Sequence, residues 1–247
     1  MNHETTLTPR RQRKRQARID RILEAATDLL SREGVRGLTL QRLADELDYT
    51  VGAFYRYFDS KEHLLAEVER RIIGRITERV EAALEATRDL APPLLPFFVL
   101  TEVYARLPRT MPAEFGLVAG NIAIPEHVIP DDAEARVVEV VMPLLRRAAA
   151  FFDAAVTAGV LAPGDGPQRA MIFWSGVHGA VQLAKLDRLE GPFAQGGRLP
   201  RRTTRALLAG FGASEEALDA AESTFDAWLS EHSLDDPARP ARTKETP

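Results

Sequence analysis

The chain of 247 residues contains no cysteine. Disulfide staples, zinc fingers, thiolate nucleophiles and iron–sulfur clusters are therefore excluded, and a reducing compartment fits. Long apolar runs are also missing. Stretches such as Leu94–Leu100 fall far short of the roughly 20 residues that a membrane span needs. No apolar segment follows the basic N-terminal run, so no secretory signal is expected, and the expected location is the cytoplasm with no membrane partner. Strand-like alternation of any length is absent, which argues against a sheet fold. No nucleophile elbow, phosphate loop or dinucleotide fingerprint occurs. The five histidines, His3, His63, His127, His178 and His232, show no ligand spacing. His178 and Asp187 lie nine residues apart in one expected helix, which is no catalytic pair. We expect no enzyme, no metal and no cofactor.

A charge surplus of one sign is lacking as well, since the net charge is only −4. The mean hides a split. Residues 1–63 carry 12 Lys/Arg against 10 Asp/Glu, and residues 64–247 carry 20 against 26. Seven of the first twelve cations fall between Arg10 and Arg21. Local distribution, not net charge, decides what such a chain can bind.

What is present is helical periodicity. Ile19, Ile22, Leu23, Ala26, Leu29 and Leu30 form one stripe of a helix beginning near Arg15, with Gly34 as its stop. Thr39 stands at an N-cap before Leu40, Leu43, Ala44 and Leu47. Asp48-Tyr49 make a tight connection, and Thr50 caps a third short helix through Phe58. Asp59 and Glu62 have capping-box spacing at the head of a longer helix with Leu65, Val68, Ile72, Ile76 and Val80. Further helices are predicted over about 96–107, up to Ile122, 131–158, 168–189, 201–209 and 214–232. Pro108 and Pro112 punctuate them, and Pro143 falls inside one. The class is all-α, with nine or ten helices. The predicted organisation is a basic flexible arm over 1–14, a helix-turn-helix domain over 15–65, a helical effector-binding and dimerisation domain over 66–232, and a disordered tail over 233–247.

Two short helices joined by a tight turn and buttressed on both sides are the geometry of a helix-turn-helix. The segment Thr50, Val51, Gly52, Ala53, Phe54, Tyr55, Arg56, Tyr57, Phe58 starts small and ends aromatic. Small residues let a helix N-terminus enter a major groove, where Thr50, Val51 and Ala53 reach base edges. Tyr55, Arg56 and Tyr57 supply hydroxyls and a cation for phosphates, and Lys61 opens the next helix, whose amides also suit a phosphate. An ordinary helical bundle with a short helix pair accounts for the same periodicity.

The stretch Ile19–Leu65, ending FYRYFDSKEHLL, resembles the DNA-binding domain of the tetracycline-repressor-like (TetR) family. Thr39, Tyr55, Tyr57, Phe58, Ser60, Lys61 and Glu62 match its pattern. Asp48 stands where the family often has Gly, and Tyr57 where His is common. The resemblance implies a homodimer reading successive half-sites of a palindromic double-stranded operator, about 34–36 Å apart. It also implies a divergent helical C-terminal domain that binds a small effector and releases DNA, with repression the commoner outcome. An activator, or a helical adaptor keeping the motif as scaffold, is the alternative.

Trp174-Ser175-Gly176-Val177-His178-Gly179 looks like the Trp–His–Gly element of one TetR C-terminal subgroup. Trp174 and His178 share a helix face. They either wall a pocket or pack the core. Phe97, Tyr104, Phe115, Asn121, Phe152, Trp174 and His178 are the candidate ligand residues, which suits an apolar or aromatic effector. Ala170, Val177, Val181, Leu218, Ala221, Phe225 and Leu229 are candidates for a four-helix dimer interface. The Arg10–Arg21 run reads either as a DNA-backbone arm or as a solvated face.

Overall fold

The computed structural model describes residues 9–123, 130–184, 186 and 197–234. Ten helices and no strand occur among them. The chain forms two compact units. The first joins the described residues up to Gly74 to those of Pro108–Val140, and the second takes Arg75–Leu107 and the described residues from Val141 onward.

In the first unit, α1 (Pro9–Gly37) buries Ile22, Leu23, Ala26, Leu29 and Leu30. It begins six residues before the predicted start, so residues 9–14 are helical rather than a flexible arm. Proline suits that first turn, where N–H groups have no intrahelical partner. Residues 1–8 of the predicted arm, with His3, lie outside the described residues. The predicted break at Gly34 is present as a kink with φ +72°, after which the helix resumes to Gly37. α2 (Leu40–Leu47) buries Leu43, Ala44 and Leu47 against α1. α3 (Val51–Phe54) is shorter than predicted: Tyr57 N and Phe58 N both donate to Phe54 O, at 2.8 and 3.0 Å, so the chain leaves the helix in a turn. α4 (Lys61–Ala86) is capped by Ser60 and not by Asp59. Ser60 directly precedes the first helical residue, and its Oγ accepts from His63 N at 3.3 Å.

α6 (Pro112–Ala123) belongs to this same unit. It packs on α1, burying Phe115, Leu117, Val118 and Ala119, and Ser31 Oγ donates to Glu114 Oε1 at 3.0 Å. The first residues of α7 (Asp131–Thr157) complete the unit. The sequence boundary at residue 65 therefore differs from the observed grouping, because the apolar face of a distant segment is buried against α1.

The second unit contains most of α5 (Leu95–Thr110), which continues through Pro108 instead of stopping there. Pro108 sits in the last turn, where its missing N–H removes one bond, to the carbonyl of Tyr104, and only two residues follow before the helix ends. Phe97 and Phe152 are fully buried with ring centroids 4.4 Å apart, and Phe173 and Phe211 close the cluster. α8 (Gly166–Leu183) starts two residues earlier than predicted, capped by Asp165, whose Oδ1 accepts from Gln168 N at 2.6 Å. It packs on α9 (Leu199–Gly210). A Cβ on Gly176 would come 2.9 Å from Leu207 Cδ1, so a side chain there would make the end of Leu207 shift. α10 (Glu215–Glu231) has the predicted Ser214 cap and packs on α9. Arg205 on α9 reaches Glu215, Asp219 and Glu222 of α10. The predicted helix end at 187–189, His127 and most of the predicted tail, 235–247, lie outside the described residues.

Candidate nucleic-acid interface

The α2–α3 pair is held by local chemistry. Thr39 Oγ1 accepts from Arg42 N at 3.2 Å and so satisfies one orphan amide of α2. Asp48 ends α2 in the left-handed region, φ 55° and ψ 42°, a conformation that favours glycine. Asp tolerates that region better than most residues. Thr50 stands at the N-cap of α3, but its side chain makes no cap hydrogen bond.

Burial then sorts the motif. Phe54 and Phe58 point inward and are nearly inaccessible, while Thr50, Gly52, Tyr55, Arg56 and Lys61 are exposed and Val51, Ala53 and Tyr57 half-buried. Tyr55 is 54% exposed, unusual for so large an aromatic ring. Space around Gly52 is open. Tyr57 is oriented by Arg18 of α1, whose Nη1 donates to its hydroxyl at 3.1 Å and whose own pKa rises through that contact. Arg18 is one cation of an undifferentiated basic run, and its pairing across 39 residues has no signature in the sequence. The exposed set is small side chains at a helix start, followed by hydroxyls and cations, which is a surface suited to base edges and phosphates.

The seven candidate ligand residues do not form one group. Phe115 and Asn121 belong to the first unit; Phe115 is core, and Asn121 Nδ2 donates to Glu69 Oε2 at 2.5 Å. Phe97 and Phe152 fill the aromatic core of the second unit. Tyr104, Trp174 and His178 do come together. Burial pushes the Tyr104 phenol pKa up and the His178 pKa down, so both are neutral near pH 7. The phenol and His178 Nδ1 share a hydrogen bond of 2.7 Å. Trp174 hydrogen-bonds the Tyr104 side chain, its ring 5.6 Å from that of His178, and Gln182 stands 3.5 Å from His178 Nε2.

Of the seven dimer candidates, Ala170, Val177, Val181, Leu218, Ala221 and Phe225 are buried inside the chain's own core, and Leu229 is half-buried. As a surface for a second copy they are closed off. Periodicity identifies an apolar stripe but not what covers it, and here α8 and α10 turn that stripe toward their own chain, α9 included. The outer face of α8 instead exposes Met171, Ile172 and Leu183 at 45%, 43% and 49%. Among the described residues no helix is long and apolar enough to cross a membrane.

Residues 22–68 match the family model of bacterial regulatory proteins of the tetR family. The repressor KstR of Mycobacterium tuberculosis is 34% identical over 91 residues, covering 37% of this chain and 39% of KstR. The chain thus aligns with about two fifths of that relative's length. The transcriptional regulator AcuR of Cereibacter sphaeroides is 26% identical over 179 residues, 69% of this chain and 78% of AcuR. In three dimensions the chain resembles RolR crystallised with its ligand resorcinol, with a TM-score of 0.62 at 18% identity over 85% of this chain and 95% of that one. That last likeness is one of fold.

Proposed function

We propose that this chain, whose residues 22–68 match the family model of tetR-type bacterial regulatory proteins, is no enzyme but a cytoplasmic repressor that binds a palindromic operator as a homodimer and lets go when a small effector binds. The observation that carries the reading is the α2–α3 surface: Phe54 and Phe58 buried, Thr50, Gly52, Tyr55, Arg56 and Lys61 outward, and Tyr57 held by Arg18. Thr50, Val51, Gly52 and Ala53 are assigned to the base edges, and Thr39, Tyr55, Arg56, Tyr57 and Lys61 to phosphates. Repression is favoured over activation by KstR, itself a repressor.

The exposed basic side chains of the first turns of α1, Arg10, Arg11, Arg13 and Lys14, extend the same phosphate-facing role. The dimer interface is assigned to the outer face of α8, around Met171, Ile172 and Leu183, in place of the buried stripe. The effector contact is assigned to Tyr104, Trp174 and His178, a neutral aromatic group whose one donor–acceptor chain suits an apolar or aromatic molecule bearing a hydroxyl. RolR, which shares the fold, holds resorcinol, a molecule of that kind.

The test is selection of a binding site from random duplex DNA by the full chain, followed by anisotropy titrations over a range of salt. A palindrome with half-sites about one helical turn apart is expected. Removing residues 1–14 lowers affinity and flattens the salt dependence, the log–log slope falling by about 0.9 for each phosphate that is no longer neutralised. Failure to enrich any sequence, with affinity set by salt alone, refutes the operator reading.

A further inference from the structure

The first unit contains a cleft of about 470 Å³, of whose lining the functions assigned above use only Tyr57. Its walls come from α1, the turn after α3, the first half of α4 and the start of α7. The size lies within the range of small-molecule sites, yet the lining is charged where such sites are usually apolar. Four guanidinium groups line it, those of Arg15, Arg70, Arg71 and Arg136. Three carboxylates line it as well, those of Asp20, Asp59 and Glu67, and Arg136 is also held by Asp132 at 3.2 Å. Glu67 lies between Arg70, at 3.6 Å, and Arg136, at 3.5 Å, both too long for hydrogen bonds. Asp20 accepts from Gln16 at 3.1 Å. Arg15 on α1 and Arg71 on α4 are exposed and have no carboxylate partner among the described residues. Each guanidinium offers five N–H donors and no acceptor, so Arg15 and Arg71 bring to the cleft donors that no carboxylate among the described residues takes up.

We infer that this cleft is a binding site for a compact polyanion, a phosphate ester or polycarboxylate, clamped between Arg15 and Arg71 and distinct from the apolar effector contact at Tyr104. Tyr57 and Arg15 stand in its wall. Tyr57 faces a phosphate in the DNA-binding reading and Arg15 directly follows the basic side chains of α1 assigned to phosphates there, so if that reading holds, an anion in the cleft competes with the operator backbone.

The test uses the full chain and two probes, inorganic pyrophosphate and citrate, titrated calorimetrically with ionic strength held constant by sodium chloride. Saturable binding of at least one probe is expected, one per chain, with Kd near or below about 1 mM. Arg71→Ala and Arg15→Ala each weaken it by about tenfold, as expected for removal of one charge-assisted hydrogen bond. Both side chains are exposed, and an unchanged circular dichroism melt confirms that the variants fold. Absence of saturation by both probes, or equal binding by wild type and both variants, overturns the site. In a second arm, the stronger-binding probe raises the apparent Kd for operator DNA in the wild type and not in Arg71→Ala. An unchanged operator Kd overturns the competition. A chain that binds the probe but no DNA sequence sinks the DNA-binding reading and leaves the cleft standing.

Discussion

Replacing Glu69 by Gln should stabilise this protein above neutral pH and flatten its stability between pH 5 and 7. Glu69 lies on α4 with only 3% of its surface exposed. Burial raises its pKa from the ordinary 4.5 to about 7; Asn121, donating at 2.5 Å, pulls the other way, and Glu134 adds to the rise. The sign follows from proton occupancy. Between pH 4.5 and 7 the folded chain keeps a proton that the unfolded chain has released, so stability is full below this window and falls as pH rises through it. The difference corresponds to about 3 kcal/mol lost by pH 8. A glutamine retains the acceptor for Asn121 and carries no charge at any pH. Urea unfolding followed by circular dichroism at pH 5.5, 6.5, 7.5 and 8.5 measures the effect, with an unchanged m-value showing that compactness is the same. If the variant loses stability with pH as steeply as the wild type, or is the less stable of the two at pH 8, burial of this carboxyl does not govern the pH response.

Phe152→Ala removes the ring at the centre of the aromatic cluster of the second unit and should cost about 3–5 kcal/mol in denaturant unfolding; a loss under 1 kcal/mol would show that the cluster is loosely packed. Thr39→Ala deletes the α2 cap, with an expected loss of about 1 kcal/mol and weaker operator binding by anisotropy. Rescue of both by Ser, which keeps the hydroxyl, separates capping from side-chain bulk. Met171→Asp places a charge on the exposed face of α8 and should shift the chain toward monomer in sedimentation; a dimer as stable as wild type moves the interface elsewhere.

Much of the candidate nucleic-acid interface was legible because it is local. An N-cap, an apolar stripe and a left-handed turn residue each act over a few positions, so Thr39, Leu43, Leu47 and Asp48 could be assigned from spacing. The ends of elements were less legible. Ser60 and Asp59 are both good caps, and only the register of α4 chooses between them. Pro108 reads as a stop, yet in a last turn it stops nothing.

Partnership across the chain left no trace in the order of residues. Arg18 meets Tyr57, Asn121 meets Glu69, and Tyr104 meets Trp174 and His178 only because helices distant in sequence pack side by side. The same packing bears on the dimer candidates: a helical period says that Val177 and Phe225 are covered, and the tertiary structure says that their own chain covers them. Helical periodicity without strand alternation, together with the ordered motif from Thr39 to Glu62, determined the all-α class and the candidate nucleic-acid interface, since capping and amphipathicity are short-range. Which carboxyl is driven to titrate near neutrality, and which arginines are left facing an open cleft, depended on desolvation and charge across the folded unit.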